Sequence, residues 1–387
     1  MTGLLGYDVE DLDARGAAHT SKEIVQQPAV WRTVGTDVEQ RQAVTDEFLR
    51  PLLLRPDLRI VLTGAGSSAF IGDVLAPALV RKMRRRAEAI PTTDIVTNPG
   101  GSFAEDVPTL LVSFARSGDS PESVAATEIA DELLGECHHL VITCNPSGEL
   151  HRRHIDAPRS LVLVMPDDAN DQGFAMTSSF TSMLLTAWLT LGSDASAVET
   201  TDRLAAAGGR FLDQHGAAVR SLAQGGYERV VYLGSGPLAG IARESALKLL
   251  ELSAGQVVTY SDTALGFRHG PKSVLTPRTL AVVFLSGDDY TRQYDLDIAA
   301  EIRSTVGPAN VVTIGDSNST DADYAGAFTL ASGGELEDAS LAALFVLFGQ
   351  LFALHSSLTL GITSDNPFPS GVVNRVVTGV TIHARSE

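Results

Sequence analysis

Three charged residues share one face of a predicted helix. Glu244, Lys248 and Glu251 follow one another at spacings of four and three residues, which places them on the same side of a helix. On most helices such a stripe is solvated, but here apolar residues flank it on both sides: Ile241, Ala242, Ala246, Leu247, Leu249, Leu250 and Leu252. We therefore predict a largely buried helix whose charged stripe faces a cavity. Burial raises the pKa of a carboxylic acid and a nearby ammonium lowers it, which is how a general base is tuned.

A histidine follows this helix in a loop bounded by glycines. His269 stands in the segment from Gly266 to Lys272, after a short predicted strand. A single histidine is often incidental, but one in a turn near an acidic helix is a candidate proton carrier because imidazole titrates near neutral pH. His151 and His154, three residues apart in a polar segment, favour a surface helix over a metal pair.

A glycine turn with two serines follows the first predicted strand. Residues 64–69 read Gly-Ala-Gly-Ser-Ser-Ala and fit the fingerprint of dinucleotide-binding folds. The acidic ribose partner expected about 20 residues later has no good counterpart, since Glu88 lies in a polar stretch and Asp94 comes late. An NAD-dependent oxidoreductase is therefore the alternative. We favour a site for a smaller anion, in which helix amides and the hydroxyls of Ser67 and Ser68 hold a phosphate monoester.

A second turn of the same character contains Ser117 and Ser120. It also leaves a predicted strand and enters a predicted helix, so both turns should meet at the carboxyl ends of neighbouring parallel strands. Helix capping is the competing explanation, because serine is a common cap and Ser120 directly precedes Pro121, a favourable first helical residue. For the combined set of serines we favour phosphate binding.

The elements that position these residues occur twice. Residues 59–71 and 229–241 align without a shift, so that Gly64 and Gly66 return as Gly234 and Gly236. Each copy continues with unalternating apolar runs separated by longer helical periods, which is typical of strands buried on both faces in βαβ units. The predicted strands are 109–113, 139–143, 160–164, 279–285, 310–314 and 327–330; the predicted helices are 121–134, 175–191, 290–306 and 341–360. The last helix contains Gln350 and His355 and is predicted to be a buried core helix rather than a membrane span.

The composition limits the classes of function. A chain of 387 residues fits two domains, and its formal charge of −18 opposes binding to nucleic acid or to an anionic membrane. The acidic segment of residues 1–16 has no signal-peptide pattern, so we expect a cytoplasmic protein. Cys137 and Cys144 form neither a disulfide framework nor a Cys-x-x-Cys metal pair and are expected to be buried.

The repeat from about Leu49 to Ile362 resembles the double sugar isomerase (SIS) domain, known from the isomerase half of glucosamine-fructose-6-phosphate aminotransferase. The most specific motifs are the helix from Glu244 to Glu251 and the loop from Arg268 to Pro271. Three further segments are most similar to the AgaS branch, which handles galactosamine 6-phosphate or tagatose 6-phosphate. They are residues 117–123, residues 175–180 with Thr177, and the tail of residues 366–371 with Asn374 and Arg375.

The resemblance implies an α/β fold of two tandem, doubly wound, flavodoxin-like parallel sheets. Its expected parts are a helical extension (1–48), a phosphate-binding domain (49–200), a domain with the catalytic helix (201–362) and a tail that closes the active site (363–387). Ser68, Ser117 and Ser120 would bind phosphate and Thr177 would belong to the same substrate site. Glu251 would move a proton between C1 and C2, His269 would open the sugar ring, and Glu244 and Lys248 would orient and tune the base. The histidine loop would enter the partner subunit's site, which implies a homodimer with shared active sites, and neither a metal nor another cofactor is expected.

Three departures from the family pattern shape the expected reaction. No glutamine amidotransferase domain precedes the repeat, and Thr2 stands where that domain needs a cysteine, so we expect deamination or isomerisation. Thr378 stands where the aminotransferase has an active-site lysine, so any Schiff-base role would fall to Lys248 or be absent. Ala115 and Arg116 replace a serine and a glutamine, and Arg116 either adds a phosphate contact or excludes related substrates.

The expected reaction converts galactosamine 6-phosphate to tagatose 6-phosphate and ammonia. Deamination of glucosamine 6-phosphate and plain aldose-ketose isomerisation stay open, because the orientation of one hydroxyl depends on a few pocket contacts. A non-catalytic phosphosugar sensor is a further alternative. Such regulators carry a DNA-binding module, and the residues before the repeat are few and acidic for that role.

Overall fold

The computed structural model describes residues 4–317, 326–377 and 379–384, and these form two parallel five-stranded sheets. The first contains β1 (Arg59–Thr63), β2 (Ala87–Ala89), β3 (Thr109–Ala115), β4 (Cys137–Thr143) and β5 (Ser160–Val164). The second contains β6 (Arg229–Leu233), β7 (Val258–Asp262), β8 (Thr279–Phe284), β9 (Val311–Gly315) and β10 (Ala327–Thr329). Their spatial orders are β2-β1-β3-β4-β5 and β7-β6-β8-β9-β10, so both follow the flavodoxin-like order 2-1-3-4-5. The predicted fold class is confirmed.

Helices cover both sheets, and three of them precede the first strand. They are α1 (Val9–Ala14), α2 (Ala18–Gln40), α3 (Gln42–Leu53), α4 (Ser67–Met83), α5 (Thr92–Thr97), α6 (Pro99–Ser102), α7 (Pro121–Leu133), α8 (Glu149–His154), α9 (Ser178–Leu191), α10 (Ala197–Ala223), α11 (Pro237–Leu252), α12 (Asp289–Val306) and α13 (Asp338–Leu360). All seven residues of β3 are buried. Strands covered on both faces explain the unalternating apolar runs of the sequence.

The first turn has the same backbone in both copies. Gly66 has φ 56° and ψ −129°, and Gly236 has φ 55° and ψ −130°. Both φ values lie in the left-handed region that favours glycine. A side chain on Gly64 would place its Cβ 2.6 Å from the carbonyl carbon of Ser68, and Gly234 is equally close to the next helix, with a Cβ 2.4 Å from the oxygen of Leu238. The glycines are therefore required by the turn, and the duplication is visible in three dimensions.

Helix α11 lies between the first helix of the other copy and α13. A Cβ on Gly240 would lie 2.7 Å from the backbone nitrogen of Val74 in α4, so the absence of a side chain lets the two helices approach. Arg243 of α11 also pairs with Asp73 of α4 at 2.7 Å. The acid helix of copy two is thereby packed directly against the serine helix of copy one.

Helix α13 is long and apolar enough for a membrane span, but its apolar window is wholly buried inside the protein. Its two polar interruptions each contact the N-terminal region: Gln350 accepts from Gln27 at 2.6 Å, and Nδ1 of His355 lies 3.3 Å from the hydroxyl of Tyr7. The prediction of a buried core helix is confirmed.

Candidate active site

The charged stripe of α11 is buried at one end and reaches the surface at the other. Glu244 and Lys248 have 0% and 1% of their side chains exposed, whereas Glu251 has 23%. Nζ of Lys248 lies 2.5 Å from Oε2 of Glu251 and 3.5 Å from Oε1 of Glu244. One ammonium thus holds two carboxylates, and only the second of them is accessible from outside.

The pKa values of the buried pair follow from this arrangement. Burial raises the pKa of Glu244 to about 7, although Lys248 and the hydroxyl of Ser67 oppose the shift. Burial would lower the pKa of Lys248, but the two carboxylates outweigh it and the pKa is raised. Lys248 is therefore a buried ammonium ion rather than a free amine, which does not suit a nucleophile that forms a Schiff base.

The two serines of the first turn point to different neighbours. Both are buried at the start of α4. The hydroxyl of Ser67 lies beside Glu244, where it lowers the pKa of that carboxyl, so Ser67 belongs to the acid helix. The hydroxyl of Ser68 is 3.8 Å from Sδ of Met176, a weak contact that leaves its hydrogen-bonding capacity largely unused.

The second turn leaves the strand next to the first, as predicted. Thr63 at the end of β1 pairs with Ser113 of β3. Ser120 stands at the N-cap position of α7, but its hydroxyl contacts that of Ser123 at 2.6 Å and makes no capping bond to the backbone. The hydroxyl of Ser117 accepts from the amide of Asp119 at 3.3 Å. Capping by the Ser120 side chain therefore does not explain the second turn.

Arg116 connects the second turn to a loop and to the tail. It is 8% exposed, and its guanidinium donates to the carbonyl oxygens of Phe174 at 3.2 Å and Arg375 at 2.7 Å. Burial lowers the pKa of Arg116, and the positive charge of Arg375 adds to that effect. The charge of Glu251 acts in the opposite direction, so the turn of copy one lies within electrostatic range of the exposed carboxylate of copy two.

Thr177 donates hydrogen bonds to Asp171, a buried carboxylate that the sequence did not point to. Asp171 is fully buried and accepts from the amide and the hydroxyl of Thr177 at 2.7 and 2.9 Å, and from the amides of Ser178 and Ser179 at 3.0 and 2.8 Å. This cap starts α9 at Ser178 rather than at the predicted residue 175. An acidic residue shortly before a Thr-Ser-Ser run was the available signal.

Glu23 of α2 is a second buried carboxylate, and no pattern in the sequence indicates it. It accepts from the amide of Gly173 at 3.1 Å, and burial together with the charge of Asp171 raises its pKa to about 7. The tail meets the same region, because Asp365 caps α2 through the amide of Thr20 at 2.8 Å and Arg375 donates to the carbonyl of Asp171. The N-terminal helices, the loop before α9 and the tail therefore converge beside Arg116.

His269 stands apart from the residues above. It is exposed, and its loop is anchored on α12 by Arg268, whose Nε lies 2.8 Å from Glu301, and by Lys272 on the same carboxylate. In the part of the chain that the structure describes, no contact joins His269 to Glu251. Thr378, at the position of the aminotransferase's lysine, lies outside the described residues.

The corresponding turns of copy two are filled by the chain's own carboxylates. Asp295 accepts from the hydroxyl of Ser235 at 2.6 Å and from the amide of Ser286 at 3.0 Å. Asp338 accepts from the hydroxyl of Ser286 at 2.5 Å and from the amide of Gly287 at 2.7 Å. Ser286 and Gly287 are the counterparts of Ser117 and Gly118, and Ser235 stands in the first turn at the position of Ala65, so the donors of both turns in copy two already bind carboxylates of the chain itself.

Comparison with known proteins gives concordant matches over nearly the whole chain. A family model described as the SIS domain matches residues 53–192 and 226–360. A Streptomyces coelicolor protein with the provisional name D-galactosamine-6-phosphate deaminase AgaS is 54% identical, over 96% of this chain and 97% of the relative. The D-galactosamine-6-phosphate deaminase AgaS of Escherichia coli is 44% identical over 94% and 95%. The crystal structure of tagatose-6-phosphate ketose/aldose isomerase from Escherichia coli aligns with a TM-score of 0.86 and 41% identity, over 94% of this chain and 96% of the other.

The raised pKa of Glu244 predicts a pH-dependent stability that Glu244→Gln removes. The folded-state pKa of about 7 lies above the ordinary value of 4.5, so between these pH values the folded protein holds a proton that the unfolded chain has lost. The free energy of unfolding must then fall as the pH rises, by at most about 1.4 kcal/mol per pH unit. Glutamine stays neutral, so the difference in the free energy of unfolding between the variant and wild type should change in favour of the variant as the pH rises across this range.

Denaturant unfolding at several pH values between 4.5 and 7 measures this difference. Glu47→Gln, on the exposed side of α3, is the control and should follow wild type. The assignment fails if Glu244→Gln and wild type have parallel pH dependences.

Proposed function

Because the chain belongs to the SIS domain family, we propose that it is a deaminase that converts galactosamine 6-phosphate and water to tagatose 6-phosphate and ammonia. The observation that carries the proposal is the position of Glu251, which is partly exposed, is held by a buried ammonium and lies within electrostatic range of Arg116 of the serine turns. A carboxylate in this position suits a base that moves a proton between adjacent carbon atoms. The names of the AgaS relatives support the substrate class.

The phosphate is assigned to copy one. Ser68, Ser117 and Ser120 lie at the carboxyl ends of two adjacent strands, where an open α/β sheet holds its ligand. In the corresponding turns of copy two, the hydroxyls of Ser235 and Ser286 already bind Asp295 and Asp338, which supports a single phosphate site. Of the predicted phosphate ligands, Ser67 is reassigned to Glu244, and Arg116 is reassigned to positioning the loop and the tail.

The reaction follows from these positions. His269 assists ring opening, which gives a free aldehyde at C1 and an amine at C2. Glu251 removes the proton from C2 and returns it at C1, while the C1 carbonyl oxygen gains a proton and the amine nitrogen loses one, so that C1 becomes an alcohol carbon and C2 becomes an imine. Water adds to the imine, and the C–N bond breaks to leave the ketose and ammonia. The proton transfers need a positioned base and donors for the developing charge.

Lys248 is a positioning residue in this scheme. Its ammonium is buried between two carboxylates and lies 2.5 Å from Oε2 of Glu251, so it fixes the position of that side chain. A buried ammonium does not attack a carbonyl, and hydrolysis of the imine by water is therefore favoured over a lysine Schiff base.

We assign residues 363–377, the C-terminal tail, to covering the bound substrate. The guanidinium of Arg375 donates to the carbonyl of Asp171 and its own carbonyl accepts from Arg116, so residues 363–377 run beside the loop that precedes α9. The ring of Phe368 lies 5.4 Å from that of Phe174 and adds an apolar contact to the same junction. A cover at this point excludes water from the proton transfer.

Plain isomerisation between an aldose and a ketose 6-phosphate is the second candidate. The similarity to the Escherichia coli crystal structure favours it, since that protein is named as a ketose/aldose isomerase. The same proton transfer performs it when C2 carries a hydroxyl. We place the enzyme in the cytoplasm, where the two free buried cysteines are ordinary.

Ammonia release from galactosamine 6-phosphate tests the proposal. We expect turnover that exceeds turnover of glucosamine 6-phosphate, without added metal or nicotinamide. Conversion of tagatose 6-phosphate without any ammonia-releasing activity would establish the isomerase instead. Absence of deaminase and isomerase activity would favour a non-catalytic phosphosugar sensor. A nicotinamide-dependent change in absorbance would favour the oxidoreductase.

Matched serine variants in the same assay test whether phosphate binding is confined to copy one. Ser117→Ala should raise KM for the sugar phosphate by roughly tenfold, equivalent to one charge-assisted hydrogen bond of about 1.5 kcal/mol, with little change in stability. Ser286→Ala, the counterpart in copy two, should lower the unfolding midpoint and leave KM unchanged, because its hydroxyl serves Asp338. Equal effects of both variants on KM would contradict a phosphate site confined to copy one.

Shared active sites are expected in a homodimer, because His269 is exposed and its loop is anchored away from Glu251 of the same chain. A mixture of Glu251→Gln and His269→Ala chains should recover activity, since one of the two sites in a mixed dimer then contains both wild-type residues. The expected recovery is about a quarter of wild-type activity for random assortment of dimers of the usual twofold symmetry. No recovery in demonstrably mixed dimers would contradict the arrangement.

A further inference from the structure

A cluster of cysteine, histidine and aspartate side chains lies at the amino end of β4, on the opposite side of the first sheet from the serine turns. Cys137 and His139 stand at the start of β4, two residues apart and therefore on the same face of the strand, and Asp131 faces them from α7. The sulfur, the imidazole nitrogen and the carboxylate oxygen all lie within 4.8 Å of one another. The sequence spacing of the cysteines did not indicate this cluster, because the fold brings the three residues together.

The histidine of this cluster is buried with one of its ring nitrogens unpaired. His139 is 2% exposed, and its Nε2 lies 2.9 Å from Oδ1 of Asp131. Its Nδ1 has no hydrogen-bond partner among the residues that the structure describes. A buried polar atom left unpaired costs about 1–3 kcal/mol, so it calls for a specific explanation.

A second buried histidine stands beside the first. His154 is 5% exposed, which shows that the prediction of a surface position was wrong for this residue, because α8 turns it inward onto Ser160 at 2.9 Å. The rings of His139 and His154 are 4.5 Å apart, and Nε2 of His154 is also unpaired within the described ranges. Asp131, Cys137 and both histidines line one cavity of about 430 Å³.

We propose that Asp131, Cys137 and His139 bind a zinc ion. A thiolate, an imidazole and a carboxylate are the ligand types that zinc combines in tetrahedral sites, and water would take the fourth position. The side chain of Asp131 is 58% exposed, so it can move to admit an ion beside the imidazole of His139. Two arginines line the cavity: Arg153 is paired with Glu128 and Glu149, and the positive charge of Arg159 would be offset by the thiolate of Cys137 and the carboxylate of Asp131 that bind the ion.

The site is separate from the active site. It lies at the amino end of β4, whereas the serine turns follow the carboxyl ends of β1 and β3. Helix α7 carries Ser120 before its first turn and Asp131 in its last turn, so a bound ion would fix the far end of the helix that positions the second turn. The expected role is to stabilise the first domain and not to take part in proton transfer.

Equilibrium dialysis of the full-length protein against buffered zinc chloride tests the proposal. Wild type should bind one zinc ion per chain and unfold at a higher temperature in its presence. Asp131→Asn and Cys137→Ser should weaken binding by roughly a hundredfold or more, because even loss of an outer-shell partner of a metal ligand costs about 10–100-fold. Cys144→Ser is the matched control, since it removes the other buried cysteine and should retain zinc.

Cobalt chloride provides a second readout. Thiolate-to-cobalt charge-transfer absorption should be present in wild type and Cys144→Ser and absent in Cys137→Ser. If Cys137→Ser does not fold, Asp131→Asn decides the matter, because its side chain is exposed and its folding can be checked by circular dichroism. Absence of zinc binding by wild type, or equal binding by both ligand variants and wild type, would overturn the proposal.

Discussion

The proposed active site depends on the ammonium ion of Lys248, which is buried between two carboxylates. Lys248 has almost no exposed surface, and its ammonium lies 3.5 Å from Glu244 on the buried side and 2.5 Å from Glu251 on the accessible side. Removing one partner of such a pair typically costs about 3–5 kcal/mol, because the other charge is left buried and unpaired. The arrangement requires a helix that is covered on nearly all sides, and α11 is covered because Gly240 permits close contact with α4 and Gly349 permits close contact with α13.

The duplication explains how one fold can carry both the proposed phosphate site and the proposed base. The glycine turn has the same backbone angles in both copies, yet the donors that follow it have different partners. In copy two, Asp295 and Asp338 occupy the turns, and α11 is free to carry the charged stripe. In copy one we assign Ser68, Ser117 and Ser120 of the turns to the phosphate of the substrate. Contact between α4 and α11 then brings the two functions together, with Ser67 beside Glu244 and Arg116 within electrostatic range of Glu251.

The sequence was sufficient to predict the fold and the burial of the charged stripe, because both depend on local periodicity. Apolar runs without alternation identify strands covered on both faces, and apolar flanks around Lys248 identify a buried helix. Contacts between distant residues were not predictable. Arg116 donates to Arg375 across 259 positions, and Glu23 meets Gly173 across 150, so no spacing rule connects them. The polar neighbours of His154 favour a surface position, whereas the orientation of α8 turns that side chain inward.

The most direct test of the central claim compares wild type and Glu251→Gln in their ability to exchange a substrate hydrogen with solvent. Wild type should incorporate deuterium from D2O into the substrate at the carbon that receives the proton, because a carboxylic acid exchanges its proton with solvent between removal and return. In the variant, mass spectrometry should detect no incorporation above the uncatalysed level, while the Kd for the sugar phosphate stays within a few-fold of wild type because the serine turns are intact. Incorporation near the wild-type rate would contradict the assignment of Glu251 as the base.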